Sequence, residues 1–307
     1  MTFAFVQTNK AFLPALQGYP SFFSRFNIRC EVVDKDQLGL VHRQVEWFFM
    51  GTDLSKPREG ICKIHEYISP SMPPLASWKN LYKSIFNSQP DCRVFKNQYV
   101  RSAFTFSDKI PFFYQDIGID PEWLSPIVTA PEKKYDFIYI GDLSERRNTE
   151  PMLKCFTQPG FKDRTLLLLS KNYTELQERY RQYPNIIFRG PVEKSEVRTY
   201  ILQSRFGLNF IPDIPPFNAL TSTKFLEYAA CMLPIVTTDY AWVRQFHQQY
   251  GGQYFFLRPD LSNFNWEQIS NASYKSPDLQ SWTWEHQIRS SGILEFLQTK
   301  FPELSFS

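Results

Sequence analysis

The sequence predicts an α/β protein made of two doubly wound parallel sheets, one in each half of the chain. Three observations predict it. Short apolar runs alternate with longer stretches of helical spacing along most of the chain, the signature of strand–helix–strand units rather than of a sandwich. A proline-bearing polar stretch, Pro121-Glu-Trp-Leu-Ser-Pro-Ile-Val-Thr-Ala-Pro-Glu-Lys-Lys134, suits neither helix nor strand and splits the alternation in two. The 307 residues are enough for two domains, each able to bury a core.

In the first half, Phe3–Val6 is a short apolar run, followed by a helix-compatible stretch and by the β-branched run Ile28–Val33. Val45–Met50 reads as a strand that stops at Gly51-Thr52-Asp53, and Cys62–Ile64 as another that leads into His65-Glu66-Tyr67. Trp78–Phe86 has helical spacing, with Leu81, Ile85 and Phe86 near one face, and Arg93–Phe95 is a further strand. Basic and aromatic residues interleave from Arg93 to Arg101, as they do on nucleic-acid surfaces. Strand periodicity accounts for them more simply, with Val94 and the rings at 95, 99, 104 and 106 turned inward and Arg93, Lys96 and Arg101 turned outward. Beyond the break the pattern is regular. Tyr135–Ile140, Thr165–Leu169, Asn185–Phe188, Phe206–Ile211 and Ile235–Thr238 read as about five strands, and Glu150–Phe156, Glu175–Tyr183, Lys194–Gln203 and Thr223–Met232 as the helices between them. The tail from Asp260 is polar and tryptophan-rich, with helical spacing over Gln287–Phe296. The expected domains are 1–125 and 126–307, the tail of the second able to pack back on the first.

Composition narrows the class. Apolar residues make up 43% and charged residues 21%, which excludes disordered and collagenous chains. A net charge of +3 argues against nucleic acid as the partner. Aromatic residues reach 17%, and rings either fill cores or stack on sugars and bases. The five cysteines form no Cys-x-x-Cys pair, as expected of reduced thiols in the cytoplasm. The N-terminal stretch has no charged leader and carries Lys10, so no secretory signal is expected. The longest continuous aliphatic run, Leu166–Leu169, is far shorter than the roughly 20 residues of a membrane span.

Three segments carry candidate chemistry. Gly141-Asp-Leu-Ser-Glu-Arg146-Arg147-Asn148 lies between a strand and a helix, where open α/β sheets bind ligands and helix N-termini attract anions. Arg146 and Arg147 suit a diphosphate because a guanidinium donates in a fixed fork to phosphate oxygens. A solvated charged loop is the competing reading. In Thr221-Ser222-Thr223-Lys224-Phe-Leu-Glu227-Tyr-Ala-Ala230, a hydroxyl at 221–223 can cap a helix that holds Lys224 and Glu227 one turn apart. A lysine at the positive end of a helix dipole is unfavourable by itself and makes sense beside a bound phosphate. Glu227 offers two oxygens to the hydroxyls of a ribose; the competing reading is a surface i,i+3 ion pair. His65 follows a buried strand, where an imidazole can touch a sugar hydroxyl or move a proton, although a lone histidine is commonly structural. No His-x3-His or His-Glu-x2-His spacing suggests a metal site, and the glycine fingerprints of dinucleotide, P-loop and serine-hydrolase enzymes are missing.

Taken together, the C-terminal segments resemble the donor-binding domain of retaining glycosyltransferases of the GT-B fold, family 4. The resemblance rests on Tyr135-Asp-Phe-Ile-Tyr-Ile-Gly141-Asp-Leu143 with the arginines after it, Asn185-Ile-Ile-Phe-Arg-Gly190-Pro-Val192, Thr221 to Ala230, and Leu233-Pro-Ile-Val-Thr-Thr-Asp239, in that order over roughly residues 135–245. The N-terminal half resembles a short acceptor-side Rossmann-like domain of the same family. There, Lys63-Ile-His65-Glu66-Tyr67 falls where such enzymes place a histidine near the donor sugar, and Arg93-Val-Phe-Lys-Asn97 resembles a segment of their far strand.

The resemblance implies a nucleotide-diphosphate sugar held between two Rossmann-like domains and a sugar transferred, with retained configuration, to a hydroxyl of a glycan or lipid-linked precursor in polysaccharide biosynthesis. Arg146 or Arg147 and Lys224 would neutralise the leaving diphosphate, residues Thr221, Ser222 and Thr223 would cap it, Glu227 would hold the ribose, and His65 would act catalytically beside the sugar. No metal and no cofactor beyond the donor substrate is expected. A cytoplasmic location is implied as well, with peripheral contact at the inner face of the membrane. Two departures stand out: the Glu-x7-Glu pair of the family lacks its first member, Ala219 standing eight residues before Glu227 beside Asn218, and Val6–Pro14 lacks the usual glycine-rich loop. A non-catalytic nucleotide- or sugar-binding module with a degenerate site is the alternative; an NAD-dependent enzyme and an interaction scaffold are more distant ones.

Overall fold

A computed structural model describes residues 1–7, 13–127 and 131–307. Residues 8–12, within the Val6–Pro14 stretch, and 128–130, within the proline-bearing stretch, lie outside the described residues. The chain divides into two compact units, Met1–Asp120 with Gln280–Ser307, and Pro121–Leu279.

The first unit holds β1 (Thr2–Gln7), α1 (Ala15–Phe23), β2 (Arg29–Asp34), β3 (Val45–Phe49), β4 (Cys62–Tyr67), α2 (Ala76–Phe86), β5 (Cys92–Phe95), α3 (Gln98–Ser102) and β6 (Phe112–Tyr114). All pairings are parallel, in the order β2-β1-β3-β4-β5-β6. Central parallel strands are covered on both faces and read as continuous apolar runs. β3 and β4 are buried from end to end, so the ionisable groups they carry must find partners inside. The rings of Phe5, Tyr19, Phe23 and Trp47 form one packed cluster, and Trp284 from the returning tail meets Tyr19 at 5.7 Å between centroids. The tail is two helices, Trp284–Ser290 and Ile293–Lys300, broken at Gly292, where a single helix over Gln287–Phe296 was expected.

The second unit holds β7 (Tyr135–Ile140), α4 (Glu150–Cys155), β8 (Leu166–Leu169), α5 (Thr174–Arg179), β9 (Ile186–Phe188), α6 (Lys194–Leu202), β10 (Ser204–Asn209), α7 (Thr223–Ala230), β11 (Ile235–Thr238), α8 (Ala241–Tyr250), β12 (Phe255–Leu257) and α9 (Trp266–Asn271). Its strands, again all parallel, run β12-β11-β10-β7-β8-β9, the 3-2-1-4-5-6 order of dinucleotide-binding sheets. Six strands replace the expected five because β12 is only three residues long, too short for a period to show. Phe137, Phe156, Phe161, Phe206 and Phe264 fill the core on one face. Most of the aromatic excess is therefore core.

One sequence expectation is corrected. Arg93 does not face outward: it is buried, paired in a bidentate fork with Asp108 at 2.6 and 2.7 Å and stacked 3.8 Å above the Phe106 ring. A buried ion pair satisfies the guanidinium where periodicity alone assigned it to solvent. The apolar face of α2 is exposed, and its buried face carries Asn80.

One close approach fixes the position of α7. A Cβ at Gly207 of β10 would lie 2.5 Å from the Tyr228 ring of α7, so only glycine lets this helix sit so near the sheet. Tyr228 then reaches β7, where its hydroxyl accepts from the Ile140 amide at 3.1 Å and donates to the Ile138 carbonyl at 3.2 Å. Gly207→Ala should cost about 1–3 kcal/mol in urea-unfolding stability through overpacking; an unchanged midpoint would mean that α7 does not dock this way. A second prediction concerns the carboxyl of Glu66, in the core of the first unit, which receives Tyr19 Oη at 2.8 Å and Trp47 Nε1 at 2.7 Å. Burial pushes it from 4.5 up to about 7, against the pull of those two donors and of Lys96. Between these pH values the folded state holds a proton that the unfolded chain has released, so stability present below 4.5 is lost as pH rises to 7, by about 3 kcal/mol. His65, which burial holds below its ordinary value, works in the opposite direction. The difference between wild type and Glu66→Gln isolates the Glu66 share, and parallel stability–pH curves for the two would refute it.

Candidate functional site

In an open parallel sheet the strand order reverses direction at one place, and loops leaving the adjacent strand ends part there to leave a crevice. In the second unit this place is the carboxyl end of β7 and β10. The loop after β7 begins at Gly141, whose φ of +136° belongs to glycine, and a Cβ there would come within 3.5 Å of Lys224 Nζ. Asp142 fixes the turn by accepting from the Ser144 amide at 2.9 Å and the Ser144 hydroxyl at 2.6 Å. Burial would raise the Asp142 pKa, yet these bonds, Asn172 and Arg147 together hold it below the usual carboxylate range. The 3-10 turn Glu145–Arg147 comes next along the chain.

This turn separates the two arginines. Arg147 is half-buried, its guanidinium 4.3 Å above the Phe217 ring, and its charge acts on Lys224, Tyr139 and Tyr240. Arg146 is exposed and makes no ion pair among the described residues.

From the other side comes the start of α7. Ser222 is its cap: the hydroxyl accepts from the Phe225 amide and donates to Asn209 Oδ1 at 2.7 Å. Asn209, the last residue of β10, donates in turn to Thr237 Oγ1 and Tyr240 Oη. The helix start is thereby pinned to the strand ends. Thr221 is buried beside it, while Thr223 and Glu227 are half-buried. The amides of Thr223 and Lys224 donate to no acceptor among the described residues, as expected of a first helical turn.

Lys224 is the unusual member. It is 8% exposed, its Nζ sits 4.0 Å over the Tyr139 ring, and no carboxylate among the described residues lies within ion-pairing distance. Burial and the neighbouring Arg147 push its pKa well below the ordinary lysine value, against the weaker opposing pull of Asp142 and Glu227. A solvated pair with Glu227 is therefore not what Lys224 forms. The arrangement brings a buried ammonium with no carboxylate among the described residues at ion-pairing distance, a guanidinium and two helix-end amides to the ends of β7 and β10, which is the chemistry of an anion site.

Sequence reasoning missed Tyr139, Asn209, Phe217, Tyr228 and Tyr240, which hold these groups in place. Asn209 was detectable as a polar residue interrupting the apolar run Phe206–Ile211. Asn218, beside Ala219, turns into its own loop, where its Nδ2 donates to Asp213 Oδ1 at 2.9 Å; Asp213 also accepts from the Ala241 amide and pairs with Arg244.

His65 is placed differently. It lies on β4 of the first unit at 0% exposure, beside the rings of Phe48 and Tyr67, with Nε2 3.2 Å from Asp53 Oδ2. Asp53 also meets Lys63 Nζ at 3.1 Å, Ser55 and Ser88. Burial works to raise the Asp53 pKa, but the His65, Ser55 and Ser88 hydrogen bonds prevail and hold it far below the usual range. The imidazole turns no face to solvent; its Nε2 is held by Asp53, and its Nδ1 has no hydrogen-bond partner among the described residues. Among the described residues no group of three or more His, Cys, Asp or Glu side chains gathers as a metal site requires, and no helix is long and apolar enough to cross a membrane.

The sequence matches no protein-family model and no curated protein. Solved structures are similar to it along nearly the whole chain. AviGT4, a glycosyltransferase involved in avilamycin A biosynthesis, aligns with a TM-score of 0.65 at 11% identity, over 97% of this chain and 98% of its own. HepE from Anabaena, in complex with UDP-glucose, aligns with a TM-score of 0.65 at 11% identity, over 97% and 100%. A glycosyltransferase from Rickettsia africae gives 0.58 at 9% identity, over 98% and 99%. Two six-stranded parallel sheets of this order, matched over this length, give the chain the GT-B fold.

Proposed function

We propose that the chain is a glycosyltransferase that moves a sugar from a nucleotide-diphosphate sugar to a hydroxyl of a glycan or lipid-linked glycan precursor. The observation that carries this reading is Lys224, a buried cation without a carboxylate partner at the strand-order reversal of a 3-2-1-4-5-6 sheet. Leaving a buried charge unmatched costs several kcal/mol, and a bound diphosphate would offset that cost. Breaking the bond between sugar and diphosphate builds negative charge on the departing phosphate. Lys224, Arg147 and the Thr223 and Lys224 amides are fixed before that charge appears, so they stabilise it without reorganisation. Side chains and amides thus supply the charge that a metal supplies elsewhere, and metal independence is part of the proposal. Glu227, one turn along α7, is assigned to the ribose hydroxyls. Retention of configuration and likeness to family 4 rest on the four motifs between 135 and 245. The UDP-glucose complex of HepE supports a nucleotide sugar as the ligand of this fold.

The alternative, a non-catalytic nucleotide-binding module, is favoured by one observation: Ala219 stands on the 3-10 turn Phe217–Ala219 where the family has a carboxylate. Release of UDP or another nucleoside diphosphate from its sugar, over many turnovers, separates the two.

Two results are expected from thermal-shift titration with nucleoside diphosphates, in which a ligand at 100 times its Kd adds about 2.7 kcal/mol. Arg147→Ala and Lys224→Gln should each weaken binding at least tenfold, whereas Arg146→Ala should leave it within a factor of about two. Equal losses at 146 and 147 would contradict the geometry. Glu227→Gln should weaken nucleoside diphosphates while sparing inorganic diphosphate; a common loss for both would remove the ribose assignment.

A further inference from the structure

α2 is built inside out. At about 100° per residue, Trp78, Leu81, Tyr82, Ile85 and Phe86 fall within an arc of about 140°. That arc faces solvent: Trp78 is 70% and Ile85 62% exposed, Leu81, Tyr82 and Phe86 are exposed as well, and so is Leu75, the left-handed residue just before the helix. The opposite side packs on the protein through polar groups. Asn80, 5% exposed, accepts from the Ser71 amide at 2.9 Å, and Ser84 donates to the Asn80 carbonyl and accepts from the Thr105 amide. A helix of a soluble core shows the reverse arrangement. Five large apolar side chains on one outward stripe, two of them in ring contact at 4.7 Å between Tyr82 and Phe86, form the kind of contiguous patch that marks a binding surface.

The charge on the helix selects the occupant. α2 carries Lys79 and Lys83 and no acidic residue, and Lys79, exposed, lies at the edge of the apolar arc. Tryptophan and tyrosine settle at membrane–water interfaces, where the ring is buried and the polar end stays wet. A short helix with an apolar face, aromatic residues and flanking lysines lies in the plane of an anionic bilayer surface. We propose that the exposed face of α2 is a membrane-docking surface, inserted among the headgroups of anionic lipids with Trp78, Ile85 and Phe86 as its anchors and Lys79 at the phosphate level. The surface lies wholly within the first unit and does not depend on the donor-site reading.

The test is flotation of the full chain with phosphatidylglycerol–phosphatidylcholine vesicles against pure phosphatidylcholine vesicles. Binding to the anionic vesicles should exceed binding to the neutral ones at least fivefold and should fall as salt is raised. The triple substitution Trp78→Ser, Ile85→Ser, Phe86→Ser should lower anionic-vesicle binding at least tenfold, and Lys79→Gln several-fold. These side chains are outside the core, so unfolding midpoints and the response to UDP should stay as in wild type, which keeps a failed donor site distinct from a failed membrane surface. Absence of anionic-vesicle binding by the folded wild type, or equal binding by the triple variant, would overturn the proposal. So would a concentration-dependent dimer that the triple variant abolishes in a chain indifferent to vesicles, since the stripe would then serve a second copy.

Discussion

The depth at which α7 sits against β7 and β10 sets the geometry of the second unit. Gly207 lets the helix in, and Tyr228 fastens it by placing its hydroxyl between the Ile138 carbonyl and the Ile140 amide of the neighbouring strand. Lys224 lies one turn before Tyr228, so the same approach that seats the tyrosine under β7 carries the ammonium over the Tyr139 ring and up to Gly141. Had the helix stood a side chain farther out, Lys224 would reach solvent and the site would lose its buried charge.

The chain treats buried charge in two ways, and the donor-site proposal rests on the contrast. In the first unit the buried charged side chains have partners of opposite charge or hydrogen-bond donors among the described residues. Lys63 and His65 converge on Asp53, Arg43 pairs with Glu46, Arg93 forks onto Asp108, and Glu66 is held by Tyr19 and Trp47 with its proton affinity raised. Such pairs contribute little net stability but leave no charge without a counter-charge or donor. In the second unit Lys224 is answered by a ring face and opposed by Arg147. A cation–π contact is worth far less than the desolvation of an ammonium. The imbalance is limited to one side chain in a well-packed sheet, and the diphosphate of the proposed donor would remove it.

How much of this was legible depends on which forces act locally. Strands β7, β8 and β11 read directly because parallel strands covered on both faces are mostly apolar, whereas β10, which opens on Ser204 and Arg205, was placed two residues late. The cap read as one of the hydroxyls at 221–223, and the spacing of Lys224 and Glu227 read directly, since capping is a property of a few consecutive residues; the structure selects Ser222. The divergence of Arg146 and Arg147 did not, because adjacent residues on a 3-10 turn point apart and only the fold decides which one meets Phe217. The burial of His65 did not, because its partner Asp53 comes from the loop after β3, and a distant partner is what permits a buried imidazole. Arg93 and Asp108 repeat that lesson.

α2 shows where periodicity stops. Its apolar stripe has the spacing of a core helix, and spacing fixes which residues share a face but not which way the face turns. The direction is decided by the opposite side. Asn80 and Ser84 are there, and both find backbone partners, the Ser71 amide and the Thr105 amide among them, so these two side chains can pack inward with their oxygens paired. Once those bonds form, turning the stripe inward would strip Asn80 and Ser84 of their partners and displace the contacts they make. The inward polar face thus holds the apolar stripe in water, where it has affinity to spend on another surface.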